Sequence, residues 1–373
     1  MTVGSEIDVN EDLGLPPVVT GPIPHSRTVL AEEDLAAAAV VLRSGQLVAS
    51  EVTGELERSA AALLSRKYVW ATAGGTAALY SALSCMGIGE GDEVLVPTYI
   101  CDDVLSAVFQ AGATPVPVDI DPDDLNPDSR DAGVKAGPRT RVIVVGHVLG
   151  MPARVREFGA LGIPLVEDCA HGLGADLESG PAGSEGKCTV LSFHGLKMVT
   201  AGEGGMILTD DEKLAEAYRG RQQPNFSAGE YRLHSRMSNV LAAIAVRQLA
   251  RLEDTVARRR LLAGRYASAL SDLNRARPVS VEADDGRRSS CYRFVLVTDG
   301  TQPFAEIERA FLEQGVIVRR PVKQLCHRTM GMGPETCPSA EALFDRIVSL
   351  PLYPNLSDEE QDVTIAAARR ILA

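Results

Sequence analysis

A glycine-rich segment, Ala73-Gly74-Gly75-Thr76, comes directly before a run of residues with helical spacing. Backbone N–H groups at the first turn of a helix, together with the helix dipole, form a site for an anion such as phosphate. The segment therefore predicts a phosphate site at Gly74, Gly75 and Thr76. The alternative is a flexible loop in which Thr76 caps the helix.

Asp168 stands at the end of a buried strand, in the run VEDCAH at 166–171. Open α/β sheets place their ligand-binding groups at the carboxyl ends of strands. A buried carboxylate needs a cationic or hydrogen-bonding partner, and a protonated pyridine nitrogen would serve. Asp168 could instead be a structural cap, and His171 could equally be a satisfied core histidine.

Lys197 lies in a glycine-rich loop between two buried strands, in SFHGLK at 192–197 followed by TAGEGG at 200–205. A lysine in such a position is a candidate for Schiff-base formation with an aldehyde. Ser192, at the end of the preceding strand, is placed to donate a hydrogen bond to a phosphate. The three segments together supply a phosphate site, a carboxylate for a pyridine nitrogen and a lysine for an aldehyde, which predicts a site for pyridoxal 5′-phosphate (PLP).

Short apolar runs rich in Val, Ile and Leu alternate with helical patterns between about residues 30 and 215. Such runs predict strands buried on both faces, in a parallel or mixed sheet covered by helices. The predicted strands are DEVLVP, PVPVDI, RVIVVGHV, IPLVED, TVLSF and GGMILT, and the predicted helices are TAALYSALSCM and DVLSAVFQAG.

A long helical region is predicted over about 238–270, followed by a smaller α+β part. In that part CYRFVLV and VIVRR predict strands, FAEIERAFLEQ predicts a helix, and the run from Ser357 to Glu360 predicts a capping box before the last helix. We therefore predict an N-terminal arm over 1–25, a large PLP-binding domain over 26–255 and a small C-terminal domain over 256–373.

The charge balance of the 373-residue chain, 37 basic against 50 acidic residues, gives −13 at pH 7. This argues against nucleic acid or an anionic membrane as a partner and favours small molecules. No apolar stretch approaches the ~20 residues that cross a bilayer, and the first residues do not resemble a signal peptide. The seven dispersed cysteines predict a reduced, cytoplasmic protein with neither a disulfide framework nor a metal site.

Six longer segments of the sequence occur in an order that is typical of one enzyme family. They are GDEVLVPTY at 91–99, AGATPVPVDIDPDDLNPD at 111–128, VEDCAHGLGA at 166–175, SFHGLKMVTAGEGGMILTDD at 192–211, SRMSNVLAAIAVRQLARLE at 235–253 and SLPLYPNLSDEEQ at 349–361. From about residue 27 to its end the chain resembles the DegT/DnrJ/EryC1/StrS aminotransferases, PLP enzymes that mostly aminate sugar nucleotides and cyclitols.

The resemblance implies a type I, aspartate-aminotransferase-like α/β fold. A large domain with a mixed, mostly parallel sheet would stand beside a smaller C-terminal α+β domain. It also implies a homodimer with the active site at the subunit interface. Lys197 matches the family's Schiff-base lysine and Asp168 its partner for the pyridine nitrogen. His171 matches a Gln/His position near the ring hydroxyl, and Gly75, Thr76 and Ser192 match the phosphate-binding positions.

Three positions depart from the family pattern. Gly74 stands where a serine often precedes the Gly-Thr pair, and Cys101 stands where an aromatic residue often stacks on the PLP ring. His234 replaces an asparagine that usually reaches the phosphate in the partner subunit. All three are retained as candidate cofactor-binding residues.

The resemblance predicts transfer of an amino group from a donor, glutamate or glutamine by family habit, to a keto group of a small acceptor in natural-product biosynthesis. Pyridoxamine phosphate would be the intermediate form of the cofactor. The alternatives are another PLP reaction on the same scaffold, such as elimination, dehydration or a lyase step, or a non-catalytic regulator. Arg320 and His327, near a family segment that often lines the substrate pocket, are predicted substrate residues, with a solvated edge as the alternative.

Overall fold

The computed structural model of this protein describes residues 21–222 and 233–373. Residues 1–20, most of the predicted arm, lie outside the described residues, as does the segment 223–232. The described end of the arm contacts the C-terminal part of the chain, where Ile23 bridges to Val316 in parallel fashion.

The described residues form twelve β-strands and thirteen α-helices. The strands are β1 (Tyr68–Thr72), β2 (Glu93–Pro97), β3 (Thr114–Val118), β4 (Thr140–Gly146), β5 (Leu165–Asp168), β6 (Asp176–Leu177), β7 (Gly180–Pro181), β8 (Cys188–Ser192), β9 (Gly205–Thr209), β10 (Ala276–Pro278), β11 (Phe294–Thr298) and β12 (Ile347–Leu350). The helices are α1 (Glu32–Ser44), α2 (Glu51–Leu64), α3 (Gly75–Cys85), α4 (Asp103–Gln110), α5 (Ser129–Lys135), α6 (Val155–Gly159), α7 (Glu212–Gln222), α8 (Asn239–Ala250), α9 (Leu252–Ala269), α10 (Phe304–Glu313), α11 (Cys326–Thr329), α12 (Pro338–Phe344) and α13 (Asp358–Leu372).

Seven strands form the large sheet, in the order β1-β9-β8-β5-β4-β2-β3. Only β9 runs against its neighbours, so β1, β5 and β8 all end at the same edge. Along β2, Val94 and Val96 pack into one core cluster while Leu95 packs into another, which shows that both faces are covered. The predicted mixed, mostly parallel sheet with two buried faces is confirmed.

The second core surrounds the antiparallel sheet β10-β11-β12 and the helices α9, α10 and α13. Helix α9 belongs to both cores, because Val256 packs with the large sheet while Leu262 and Tyr266 pack with the small one. The division of the chain at residues 255 and 256 stays a prediction, and it falls within this helix. The predicted capping box is present, with Ser357 and Glu360 capping α13.

The helical region predicted over about 238–270 is present, and it is divided into two helices, α8 and α9, because Arg251 leaves the helical conformation at φ −104° and ψ 9°. One prediction about local structure is wrong. The run VIVRR at 316–320 is no regular strand, since only Val316 and Arg319 make isolated bridges there. Among the described residues, no helix combines the length and the apolar character needed to cross a membrane.

Candidate active site

A cavity of about 440 Å³ opens at the sheet edge where β1, β5 and β8 end. Seven of the predicted site residues line it: Gly74, Gly75, Thr76, Cys101, Asp168, Ser192 and Lys197. The structure thus brings together residues from four separate segments of the chain. Parallel strands explain this, because their carboxyl ends share one edge of the sheet.

The start of α3 forms one wall of the cavity. Gly74 is the N-cap, in extended conformation, and offers no side chain to the N–H groups of the first turn. Thr76 lies inside the helix and does not cap it. A Cβ on Gly75 would lie 2.9 Å from the Cβ of Ser192, so a glycine is needed for the helix to approach the end of β8 this closely. The wall therefore presents helical N–H groups and a hydroxyl, which together suit a phosphate.

Asp168 ends β5, lines the cavity and is 8% exposed. Its Oδ1 accepts a hydrogen bond from the backbone N–H of Ala170 at 2.9 Å, and no described residue donates to Oδ2. Burial raises the pKa of Asp168, against the opposing effects of the Ala170 N–H, Lys197 and His147. A cation in the cavity would relieve this cost by pairing with the free oxygen.

Lys197 lies in the loop between β8 and β9, where its backbone N–H donates to the carbonyl oxygen of His194 at 2.9 Å. Its Nζ lies 5.5 Å from the centre of the Tyr292 ring. The His171 ring stacks on the same tyrosine with 4.2 Å between ring centres. Burial, followed by the charges of Lys197 and Arg293, lowers the pKa of His171 well below its usual range. His171 is therefore a neutral hydrogen-bonding group near neutral pH.

Tyr292 is a cavity residue that the sequence reasoning missed. It precedes β11 and is held against the large sheet by Gly150, whose φ of 98° and close approach exclude a side chain: a Cβ there would lie 2.7 Å from the Tyr292 nitrogen. The Ser290 hydroxyl also donates to the carbonyl oxygen of His171 at 3.1 Å. No local motif announces these tertiary contacts.

A buried pair, His147 and Glu167, supports β5 beside Asp168. Glu167 accepts hydrogen bonds from backbone N–H groups of the loop 183–186 and from His147 Nε2, at 3.1 Å for the histidine. With Cys169 the pair forms a group with metal-ligand spacing. However, His147 Nδ1 accepts a hydrogen bond from the N–H of Ala153, so the ring proton is on Nε2. This N–H donates to Glu167, and Nε2 therefore has no lone pair for a metal.

Cys101 and His234 differ in their placement. Cys101 lines the cavity, and desolvation raises the pKa of its thiol to about 11, with Lys197 opposing and Asp168 adding to the shift. His234 is exposed and does not line the cavity, although the next residue, Ser235, accepts a hydrogen bond from the Ala73 N–H at 2.7 Å. The segment of His234 is thus attached to the loop that begins α3.

Arg320 and His327 do not line the cavity in this chain. Arg320 Nη2 donates to Asp345 at 2.6 Å, and its guanidinium packs on two phenylalanine rings. His327 is fully buried, with its ring nitrogens bonded to Thr98 at 2.6 Å and Glu341 at 2.8 Å. Arg320 is thus engaged within the C-terminal part, and His327 links that part to Thr98, which follows β2. The substrate role of both residues stays a prediction.

The residues of the cavity fit PLP. The start of α3 and Ser192 suit the phosphate, Asp168 offers a free carboxylate oxygen for the pyridine nitrogen, and Lys197 lines the same cavity. The sequence model of the DegT/DnrJ/EryC1/StrS aminotransferase family matches residues 28–369. This chain belongs to that family.

Solved structures of aminotransferases are similar to this chain. The aminotransferase TlmJ from Streptoalloteichus hindustanus is 30% identical, over 94% of this chain and 98% of that one, with a TM-score of 0.87. DesV of S. venezuelae is 28% identical, over 91% and 94% of the two chains, with a TM-score of 0.84. Spr1654 from Streptococcus pneumoniae in its PLP form is 25% identical, over 94% and 100%, with a TM-score of 0.87.

The aminotransferase therefore has the type I fold predicted from its sequence, and the prediction of a PLP-dependent enzyme is confirmed. Family membership supports transamination over the non-catalytic and eliminating alternatives.

Proposed function

We propose that this aminotransferase moves the amino group of L-glutamate or L-glutamine to the keto carbon of a small acceptor, namely a sugar nucleotide, a cyclitol or a related ketone, in natural-product biosynthesis. The observation that carries the proposal is the convergence of Lys197, Asp168 and the start of α3 on one cavity. The donor and acceptor classes follow the habit of the family to which the chain belongs.

The roles proposed for these residues are supported by their positions in the cavity and, for His171, by its stacking on Tyr292. The first turn of α3, with Gly75, Thr76 and Ser192, would hold the cofactor phosphate, and Asp168 would hold the proton on the pyridine nitrogen. His171 would approach the ring hydroxyl as a neutral donor or acceptor. When bound, PLP supplies an aldehyde carbon and an electron-withdrawing ring.

Lys197 carries the proton transfers in this proposal. Its Nζ would hold the cofactor. Once free, this amine would accept the proton from the donor α-carbon as a base and return a proton as an acid. The nearby Tyr292 ring would contact Nζ, as a cation–π pair while the amine is protonated.

We further propose that the enzyme is a cytoplasmic homodimer and that His234 reaches the phosphate site of the partner subunit. The exposure of His234 and its attachment beside α3 leave it available for such a contact. All seven cysteines are free thiols, which supports a reducing compartment.

The absorbance spectrum of the PLP-loaded protein tests the function. Addition of L-glutamate or L-glutamine is expected to remove the visible band of the lysine-bound cofactor and to produce the band of pyridoxamine phosphate. Lys197→Ala is expected to abolish this conversion, while Lys67→Ala, which changes an exposed lysine, leaves it unchanged. A visible band that neither donor alters would contradict the proposal and favour a different PLP reaction.

A further inference from the structure

A second cavity, of about 100 Å³, lies behind the loop that carries Lys197. Leu196 and Lys197 line both cavities, so the two are neighbours on either side of this loop. The other walls come from residues 26–31, from α8 and α9, and from residues 352–354. Among the described residues, four arginines and no acidic side chain line the second cavity: Arg27, Arg251, Arg259 and Arg293.

Two of these arginines already have carboxylate partners outside the cavity wall. Arg251 Nη2 lies 2.7 Å from Asp34, and Arg27 Nη2 lies 3.7 Å from Glu360. Their charges are therefore balanced within the chain, and they do not by themselves require an additional anion.

Arg259 is buried, at 5% exposure, and no described carboxylate forms an ion pair with it. Its Nη1 donates to backbone carbonyl oxygens, at best to Leu352 at 3.0 Å, and its Nε has no hydrogen-bond partner among the described residues. Burial, followed by the charge of Arg293, lowers the pKa of Arg259 to about 10, so the group still carries its charge at neutral pH. A buried cation without a counter-ion is costly, and an anion in the cavity would offset that cost.

Arg293 likewise forms no ion pair with a described carboxylate. Its Nη1 donates to the Ser26 hydroxyl at 2.6 Å, and its guanidinium carbon lies 4.5 Å from the centre of the Tyr292 ring. Lys197 Nζ lies 5.5 Å from the same ring. The uncompensated positive charge of the second cavity is thus separated from the lysine amine by little more than one aromatic side chain.

We propose that the second cavity is a carboxylate subsite, in which Arg293 and Arg259 bind a carboxylate of the amino-acid donor. Guanidinium groups suit this ligand, since their N–H groups match the two oxygens of a carboxylate. The proposal deepens the proposed function and rests on it, because it takes the donor to be an acidic amino acid or its amide. Binding there would hold the donor amine next to Lys197.

Calorimetric titration of the PLP-loaded enzyme with glutarate tests the subsite. Glutarate has two carboxylates and no amine, so its binding requires no amino transfer. We expect saturable binding by the wild type, at least about tenfold weaker binding by Arg293→Gln, and partial recovery in Arg293→Lys, which keeps the charge. Arg277→Gln is the matched control, because Arg277 is exposed, lies outside both cavities and donates to the Pro122 carbonyl oxygen at 3.4 Å.

Equal glutarate affinity in the wild type and Arg293→Gln, or no saturable binding by the wild type, would overturn the subsite. Steady-state kinetics then test its occupant. Arg293→Gln should raise the KM for the donor about tenfold without changing the KM for the acceptor, and glutarate should compete with the donor. Noncompetitive inhibition would remove the donor assignment. If glutarate binds but neither L-glutamate nor L-glutamine forms pyridoxamine phosphate, the result counts against the proposed function and not against the subsite.

Discussion

Gly75 and Ser192 lie in direct contact at the point where α3 begins beside the end of β8. A Cβ on Gly75 would lie 2.9 Å from the Cβ of Ser192 and 3.2 Å from its Oγ. The Ser192 backbone is fixed by β8, so neither residue can withdraw without moving a core element. This contact sets the distance between the helical N–H groups and the Ser192 hydroxyl, and therefore the geometry of the proposed phosphate site.

Gly75→Ala should weaken cofactor binding. The added methyl group forces the start of α3 away from Ser192, and we expect the Kd for PLP to rise by at least about tenfold, as measured by fluorescence titration. Gly74→Ala is the matched control, because its Cβ would meet no atom within 4 Å and its backbone is extended. Equal PLP affinity in the two variants would show that the contact does not shape the site.

Asp168→Asn should leave the fold intact and slow the first half-reaction. The amide keeps the size of the side chain but loses the charge that would hold a proton on the pyridine nitrogen. We expect the rate of pyridoxamine phosphate formation to fall by about 100-fold or more, measured by stopped-flow absorbance. Asp103→Asn, which alters another acidic residue of the same cavity, should change the rate far less. A similar loss in both variants would point to the general charge of the cavity.

Mixing two inactive variants tests the shared active site. In a homodimer, Lys197→Ala and His234→Ala subunits would form hybrids in which one of the two sites has both residues intact. Random exchange of subunits should therefore restore about a quarter of the wild-type activity. Two Lys197→Ala preparations mixed in the same way should stay inactive. If the hybrids gain nothing although exchange is shown by differential tagging, His234 does not act across the interface.

The sequence predicts most clearly the location of those site residues that lie at or near the ends of helices and strands. Gly75 begins α3, Asp168 ends β5, and Lys197 lies in the loop between β8 and β9. The order of these elements is predicted by the apolar runs. Because parallel strands end at a common edge, local patterns were enough to predict that these residues meet.

Other features depend on contacts between distant segments and left no local pattern. Tyr292 reaches the cavity because the turn at Gly150 receives it, and the arginine cavity forms only when α9 packs on both cores. The break between α8 and α9 was missed for a similar reason, since the apolar stripe continues across Arg251. The cations near residue 320 predict a substrate-binding cluster, and this stays a prediction. The ion pair of Arg320 with Asp345 is a tertiary contact that no local pattern indicates.

Substitutions at Tyr292 separate its ring from its hydroxyl. Tyr292→Phe keeps the stacking on His171 and the contact with Lys197, and loses only a hydrogen bond from Arg293 of 3.3 Å. We expect its kcat/KM to stay within about threefold of the wild type, and that of Tyr292→Ala to fall about tenfold or more, in line with the loss of cation–π and stacking contacts. Equal losses in both variants would assign the role to the hydroxyl.

The free energy of unfolding at acidic pH should depend on the charge of Glu341. The hydrogen bond from Arg328 is the main cause that lowers the pKa of Glu341 from 4.5 to about 2. Burial opposes this shift, and the hydrogen bond from His327 adds to it. A lowered carboxyl pKa adds stability that is complete above the unfolded-state value and disappears as the pH falls through the folded-state value. The advantage of the wild type over Glu341→Gln should therefore be full above pH 4.5 and shrink toward pH 2.

Urea unfolding near pH 6, about pH 4 and about pH 3 measures this difference, and Glu335→Gln, which alters an exposed carboxylate, is the control. A difference in the free energy of unfolding between wild type and Glu341→Gln that stays constant over this range would mean that the charge of Glu341 contributes no stability.

His327→Ala is expected to destabilise the protein while leaving the KM for the acceptor unchanged, because the ring is buried between Thr98 and Glu341 and lies outside the cavity. A raised acceptor KM in His327→Ala, at unchanged stability, would instead return His327 to the substrate site.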